Sequence, residues 1–142
     1  LFGASRAQLV RKWIEPKLQQ GNIVLCDRFA DSTTAYQGEA RGLNLEFIRA
    51  MHNFSLAGRW PDLTFFLDLE VSESFRRLRA IKPDLNSDDR FEEEDKAFHQ
   101  AVRNGFLQLA KDNPLRIRCL DATLPICELA GKIFEEVCHV LG

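Results

Sequence analysis

Asp27 and Arg28 stand side by side directly after an apolar run, Ile23-Val24-Leu25. An arginine at a strand end offers a planar fork that fits a phosphate. A carboxylate beside it can hold a metal ion through water. The same pair could also be a solvated acid and base that cap the strand. Ser32, Thr33 and Thr34 follow, then Tyr36, Gln37 and Gly38. The hydroxyls could cap a helix that starts there, or bond the polar edge of a ligand. Tyr36 could be a core ring or a wall that selects substrate shape.

Two other places carry related chemistry. Phe2 and Arg6 lie four residues apart and so share one face of a helix. A ring with an arginine one turn later suits stacking on a planar base and bonding its edge, or a core ring beside a surface charge. Arg76, Arg77 and Arg79 end a second helical stretch and lead into KPDLNSDDR, residues 82–90. Cations near a helix C-terminus are favourable in any protein. They could also ride on a lid that closes over transferring phosphates.

The elements that must position these residues follow from periodicity. Leu9, Trp13 and Ile14 predict a helix over 2–20, bent or ended by Pro16 and stopped by Gly21. Residues 23–27 predict a short buried strand, and 28–40 a loop with a short helix. A helix over 44–57 places Leu45, Ile48, Met51 and His52 on related faces. LTFFLDL at 63–69 predicts a second strand. Ser72 then caps a helix reaching about residue 81, with Glu73 in its first turn. Residues 82–90 predict a loop. Phe91, Phe98, Val102, Phe106 and Leu109 give a helix over 91–111, Arg116–Leu120 a last strand, and 125–141 a closing helix. Strands alternating with helices predict a single α/β domain with a parallel sheet.

Bulk numbers narrow the function classes. The 142 residues include 45% hydrophobic and 28% charged residues, a globular balance. Nineteen basic against twenty-one acidic residues give a net charge of −2, which provides no basic surface for nucleic acid. Cys26, Cys119, Cys127 and Cys138 form no CxxC pair of the kind zinc sites use. Cys26 and Cys119 fall in apolar runs, so we expect buried free thiols and a reducing cytoplasm. No run approaches the ~18–20 apolar residues of a membrane span, and no signal-peptide pattern opens the sequence.

Taken together, these segments resemble the thymidylate kinases. The resemblance is carried by LFGASRAQLV at 1–10, CDRFADSTTAYQGEARGL at 26–43 and PDLTFFLDL at 61–69. The arginine-rich stretch at 76–79, DRFEEE at 89–94 and LDA at 120–122 continue it, in order and over the whole chain. It implies a P-loop kinase-type parallel sheet flanked by helices and transfer of phosphate from ATP to dTMP, with Mg2+, giving dTDP. It implies that Phe2 stacks on thymine, Arg6 bonds the base edge, and Arg28 grips the dTMP phosphate. The same resemblance implies that Asp27 lies beside the magnesium, through water. It implies that Thr33 contacts the base with Ser32 adjacent, that Tyr36 would crowd a 2′-hydroxyl, and that Gln37 contacts the base or supports the loop. Arg79 and Arg90 would touch the ATP phosphates, with Lys82 as a substitute, within a lid at about 79–91. Ile81 stands where many bacterial members carry a third alternating arginine. A homodimer is implied as well. A related nucleoside-monophosphate kinase and a nucleotide-binding pseudoenzyme are the alternative readings.

One family feature is missing from the sequence. No G-x-x-x-x-G-K-[ST] motif occurs in it, and it opens on Leu rather than Met. The resemblance therefore implies the C-terminal two-thirds of a thymidylate kinase, with an incomplete sheet. On that reading the chain alone would be unstable, aggregation-prone and inactive, because the missing P-loop strand, which lies between 23–27 and 63–68 in the family's sheet, would leave both edges unpaired.

Overall fold

Parallel pairing joins two strands, β1 (Thr64–Asp68) and β2 (Ile117–Asp121), in register from Thr64 opposite Ile117 to Asp68 opposite Asp121. The computed structural model describes residues 2–81 and 89–142, with the side chains of 89–94 outside that description. The chain divides into two compact units, Leu1–Trp60 and Pro61–Gly142. The α/β class and the small parallel sheet flanked by helices match the sequence expectation.

The first unit is helical. α1 (Phe2–Leu9) runs into a π-helical stretch, Val10–Ile14, and then α2 (Glu15–Gln19). Pro16 therefore does not end the helix. It has no N–H to give, and the wider turn before it absorbs the mismatch: the Glu15 N–H bonds the Val10 carbonyl. Gly21, at φ 77°, closes the helix as expected, with its N–H on Leu18 O and that of Asn22 on Lys17 O. α3 (Ala30–Thr33) continues into a second π-helical stretch, Thr34–Glu39. α4 (Leu45–Leu56) starts at Asn44, whose side chain accepts from the Phe47 N–H, and ends on Ala57 in the left-handed region. Its inner face carries Ile48, His52, Ser55 and Leu56. Val10, Ala30 and Leu56 form the core, with Ile14, Phe29 and Trp60 packed around them.

The expected strand at 23–27 is not a strand. No neighbour pairs with it among the described residues, and without a ladder the run stays irregular, with Ile23 and Leu25 exposed (64% and 90%). Cys26 goes with it. All four cysteines are exposed, which corrects the expectation of buried thiols. Cys119 stays exposed on β2, a strand paired on one edge only among the described residues.

In the second unit, α5 (Val71–Ile81) and α6 (Asp89–Asp112) connect β1 to β2, and α7 (Ile126–Leu141) follows. Phe66 of β1 stacks on Phe106 of α6 at 4.9 Å, which seats the sheet on that helix. Arg103 of α6 grips Asp68 with two bonds, at 2.6 and 2.9 Å, and reaches Glu70 at 2.8 Å. α5 begins at Val71, so Ser72 lies inside its first turn rather than capping it. Asp89 and Arg90, read as the end of a loop, are the first turn of α6. Lys82 and the rest of the expected loop to Asp88 lie outside the described residues.

Candidate functional site

Arg6 is the hub of the first unit. It projects from α1 into the protein and is only 9% exposed. Its Nη2 donates to the Thr33 hydroxyl at 2.6 Å and to the Phe29 carbonyl at 3.3 Å. Its Nη1 lies 3.4 Å from His52 Nδ1, and the guanidinium sits 5.5 Å from the Phe29 ring centre. Burial lowers the Arg6 pKa, partly offset by Cys26 and Asp31 nearby.

His52 completes this network from α4. Its Nε2 is 3.1 Å from the Thr34 hydroxyl, and its ring meets Trp60 edge-on at 5.6 Å. Desolvation, reinforced by the Arg6 charge and opposed by Asp31, brings its pKa down to about 4. The ring is therefore neutral at neutral pH. Sequence reading placed His52 on a helix face but gave it no role. The available signal was a polar ring four residues from both Ile48 and Leu56, which demands a partner when buried.

The hydroxyl cluster now has an explanation. α3 begins at Ala30 after Phe29, with no side-chain cap, so Ser32, Thr33 and Thr34 lie past the cap position. Thr33 is buried and holds Arg6; Thr34 meets His52. Ser32 is half-buried on the same short helix. Asp31, also buried, adds a negative charge close to Arg6 and His52.

Arg28 is held differently. Its backbone is left-handed, at φ 63°, a conformation that costs a non-glycine residue about 1–2 kcal/mol. Its exposed side chain turns back over Tyr36, with Nη2 donating to the Tyr36 hydroxyl at 3.0 Å and Cζ 5.0 Å from the ring centre. Asp27 is exposed in the same bend. The π-helical turn, closed by the Ala40 N–H on Ala35 O, carries both Tyr36 and Gln37. Gln37 Oε1 accepts from Arg41 at 3.2 Å. Single π-helical turns within helices are frequent at functional sites. Phe2 is 65% exposed on α1, four residues before Arg6.

The remaining expected residues belong to the second unit. Arg76 and Arg77 both clasp Glu73, whose carboxyl falls to about 2 because of those two hydrogen bonds. Arg77 also donates to the Ala122 carbonyl at 3.2 Å. Arg79 is exposed in the last turn of α5, and Arg90 is in the first turn of α6 with its side chain outside the described residues. Among the described residues no three His, Cys, Asp or Glu side chains converge to hold a metal directly, and no helix is long and apolar enough to cross a membrane. Asp27, exposed in the bend before α3, is a carboxylate of the chemistry that can hold a magnesium ion through water.

Comparison with known proteins decides the family. The thymidylate kinase family model matches residues 1–133. The chain belongs to the thymidylate kinase family. It is 43% identical, over its whole length, to a thymidylate kinase of Dehalococcoides mccartyi and spans 66% of that protein. It is 46% identical over 138 residues to one of Deinococcus radiodurans, covering 96% of this chain and 65% of the relative. A crystal structure of thymidylate kinase from Ehrlichia chaffeensis superposes with a TM-score of 0.67 at 31% identity, over 99% of this chain and 60% of that one. The chain thus spans about two-thirds of the length of its thymidylate kinase relatives.

Proposed function

We propose that the whole protein to which this chain belongs is an ATP:dTMP phosphotransferase, and that residues 2–60 supply its dTMP pocket. The observation that carries this reading is the strained Arg28 turn, next in sequence to Asp27, which holds a guanidinium against Tyr36 in a family that works on a nucleoside monophosphate. Local strain of this kind persists where a site requires it.

In this reading Arg28 grips the dTMP phosphate, and its two-pronged fork fits that group better than a lysine would. Tyr36 steadies Arg28 and crowds the sugar where a ribonucleotide carries its 2′-hydroxyl. Phe2 stacks on thymine, and Arg6, fixed by Thr33, faces the base edge. Ser32 and Gln37 line the same pocket. Asp27 would hold magnesium through a water, and the ion would neutralise phosphate charge when bound. A dTMP phosphate oxygen attacks the γ-phosphorus of ATP, the bond to the β-bridging oxygen breaks, and ADP leaves with that electron pair. Arg79 and Arg90 stabilise the charge that spreads over the transferring group. The protein works by position and charge, with no covalent enzyme intermediate. A homodimer in the cytoplasm is part of the proposal.

The test is an ATP-dependent phosphorylation assay on the full-length protein with dTMP, dUMP, UMP and thymidine as acceptors. The proposal expects dTMP to be preferred. Equal turnover of UMP, or of thymidine, would remove the roles given to Tyr36 and Arg28.

A further inference from the structure

Three elements meet through one imidazole. His52 stands on α4, takes Arg6 of α1 on one ring nitrogen and meets Thr34, just after α3, on the other. A guanidinium only donates. His52 Nδ1 must therefore accept from Arg6, and the ring proton must sit on Nε2, where it is donated to the Thr34 hydroxyl. The tautomer is set by its neighbours. Thr33, the adjacent residue, accepts from the other Arg6 terminus at 2.6 Å. Arg6 is thus held between a histidine from behind and a hydroxyl from the side.

With the ring 2% exposed and packed edge-on against Trp60, His52 has no access to a substrate. Its effect on chemistry must pass through the groups it holds. We infer that His52 is a positioning residue: its neutral ring orients Arg6 and so sets the affinity for the pyrimidine base, with little effect on the transfer step. A doubly protonated ring would present a donor to a donor and a charge to a charge, offset in part by Asp31 nearby. This inference rests on the reading of Arg6 as the base-edge residue.

The two contacts can be separated in the full-length protein. The amide oxygen of His52→Asn stands near the place of Nδ1 and can still accept from Arg6. The longer His52→Gln reaches toward Thr34 instead. His52→Leu keeps neither contact. The KM for dTMP should rise about tenfold in His52→Leu, the size of one lost buried hydrogen bond, with kcat within about twofold. His52→Asn should recover most of the loss and His52→Gln should not. Arg6→Ala is measured in parallel. If Arg6→Ala raises KM but the three His52 variants do not, the positioning role is wrong and the base-edge reading stands. If Arg6→Ala leaves KM unchanged, the base-edge reading fails and this inference with it. A KM that follows the unfolding midpoint across the His52 variants, whichever contact is kept, would show a packing role and overturn it. Should His52→Leu not fold, the Asn and Gln variants still decide.

Discussion

Arg28 bends through a left-handed backbone to place its guanidinium 3.0 Å from the Tyr36 hydroxyl. The bend carries a conformational cost, and an exposed cation–π contact of about 0.5–1 kcal/mol offsets only part of it. Arg28→Gly relieves that cost but also gives up the cation–π contact and the Tyr36 hydrogen bond, so stability should stay within about 1 kcal/mol of the parent. The substitution should also lower kcat/KM for dTMP in the full-length protein by roughly ten- to a hundredfold or more. Urea unfolding together with the kinase assay reads both effects. A glycine variant less stable by more than about 1 kcal/mol would mean that the Arg28 contacts outweigh the strain.

His52 predicts a limb in the pH dependence of stability. Its folded pKa is about 4 against an ordinary 6.5, so the unfolded chain takes up the proton first as pH falls. The contribution is complete above pH 6.5 and is lost progressively down to pH 4. It amounts to at most about 3 kcal/mol. Glu73, lowered from 4.5 to about 2, contributes above pH 4.5 and loses that contribution over the lower range. Unfolding free energies between about pH 5 and 6.5 therefore isolate the histidine. His52→Asn should flatten that limb; an unchanged slope would place the titration elsewhere.

Two glycines should respond differently to alanine. A Cβ on Gly38 would sit 2.5 Å from Leu45 Cδ2 and 3.2 Å from Ile48 Cδ1, and Ile48 is fully buried. Gly38→Ala should cost about 1–2 kcal/mol despite the better helix propensity of alanine. At Gly3 the Cβ would meet Met51 Cγ and Sδ at 2.8 Å. Methionine is flexible and adapts, so Gly3→Ala should stay within about 0.5 kcal/mol of the parent. Thermal unfolding of the two variants checks the order.

In the second unit, Asp68→Asn removes the charge from the two-bond clasp with Arg103 and leaves Glu70 as the one carboxylate of the pair still on that arginine. The paired side chains are partly buried, and the expected loss is about 1–2 kcal/mol, shrinking at high salt. Urea titrations at low and high ionic strength measure it. A loss that does not change with salt would point to hydrogen-bond geometry rather than charge.

The helices were legible because their apolar spacing is strong: Leu45, Ile48, Met51 and His52 do share the inner face of α4. LTFFLDL and the Arg116–Leu120 run were recognisable as strands, and each does form one, within a residue or two at the ends. Ile23–Asp27 looked the same locally and failed, because a strand is made by its neighbour and none of the described residues pairs with it. At the site, Asp27, Arg28 and Tyr36 stood out as a chemical series in the sequence. The Arg6 network did not, since Arg6, Thr33 and His52 lie 27 and 46 residues apart in its hydrogen bonds. Local pattern carries no record of such pairings. The π-helical turns were equally hidden, as their period differs from the α-helix by one residue over a single turn.

The central claim is that Arg28 binds the phosphate of dTMP. Isothermal titration of the full-length protein and its Arg28→Ala variant, each with dTMP and with thymidine, tests it directly. Losing a charge-assisted, two-pronged contact should weaken dTMP binding by roughly ten- to a hundredfold and leave thymidine binding unchanged. If Arg28→Ala bound dTMP as tightly as the parent, or lost dTMP and thymidine alike, the phosphate would have to be held by some other group.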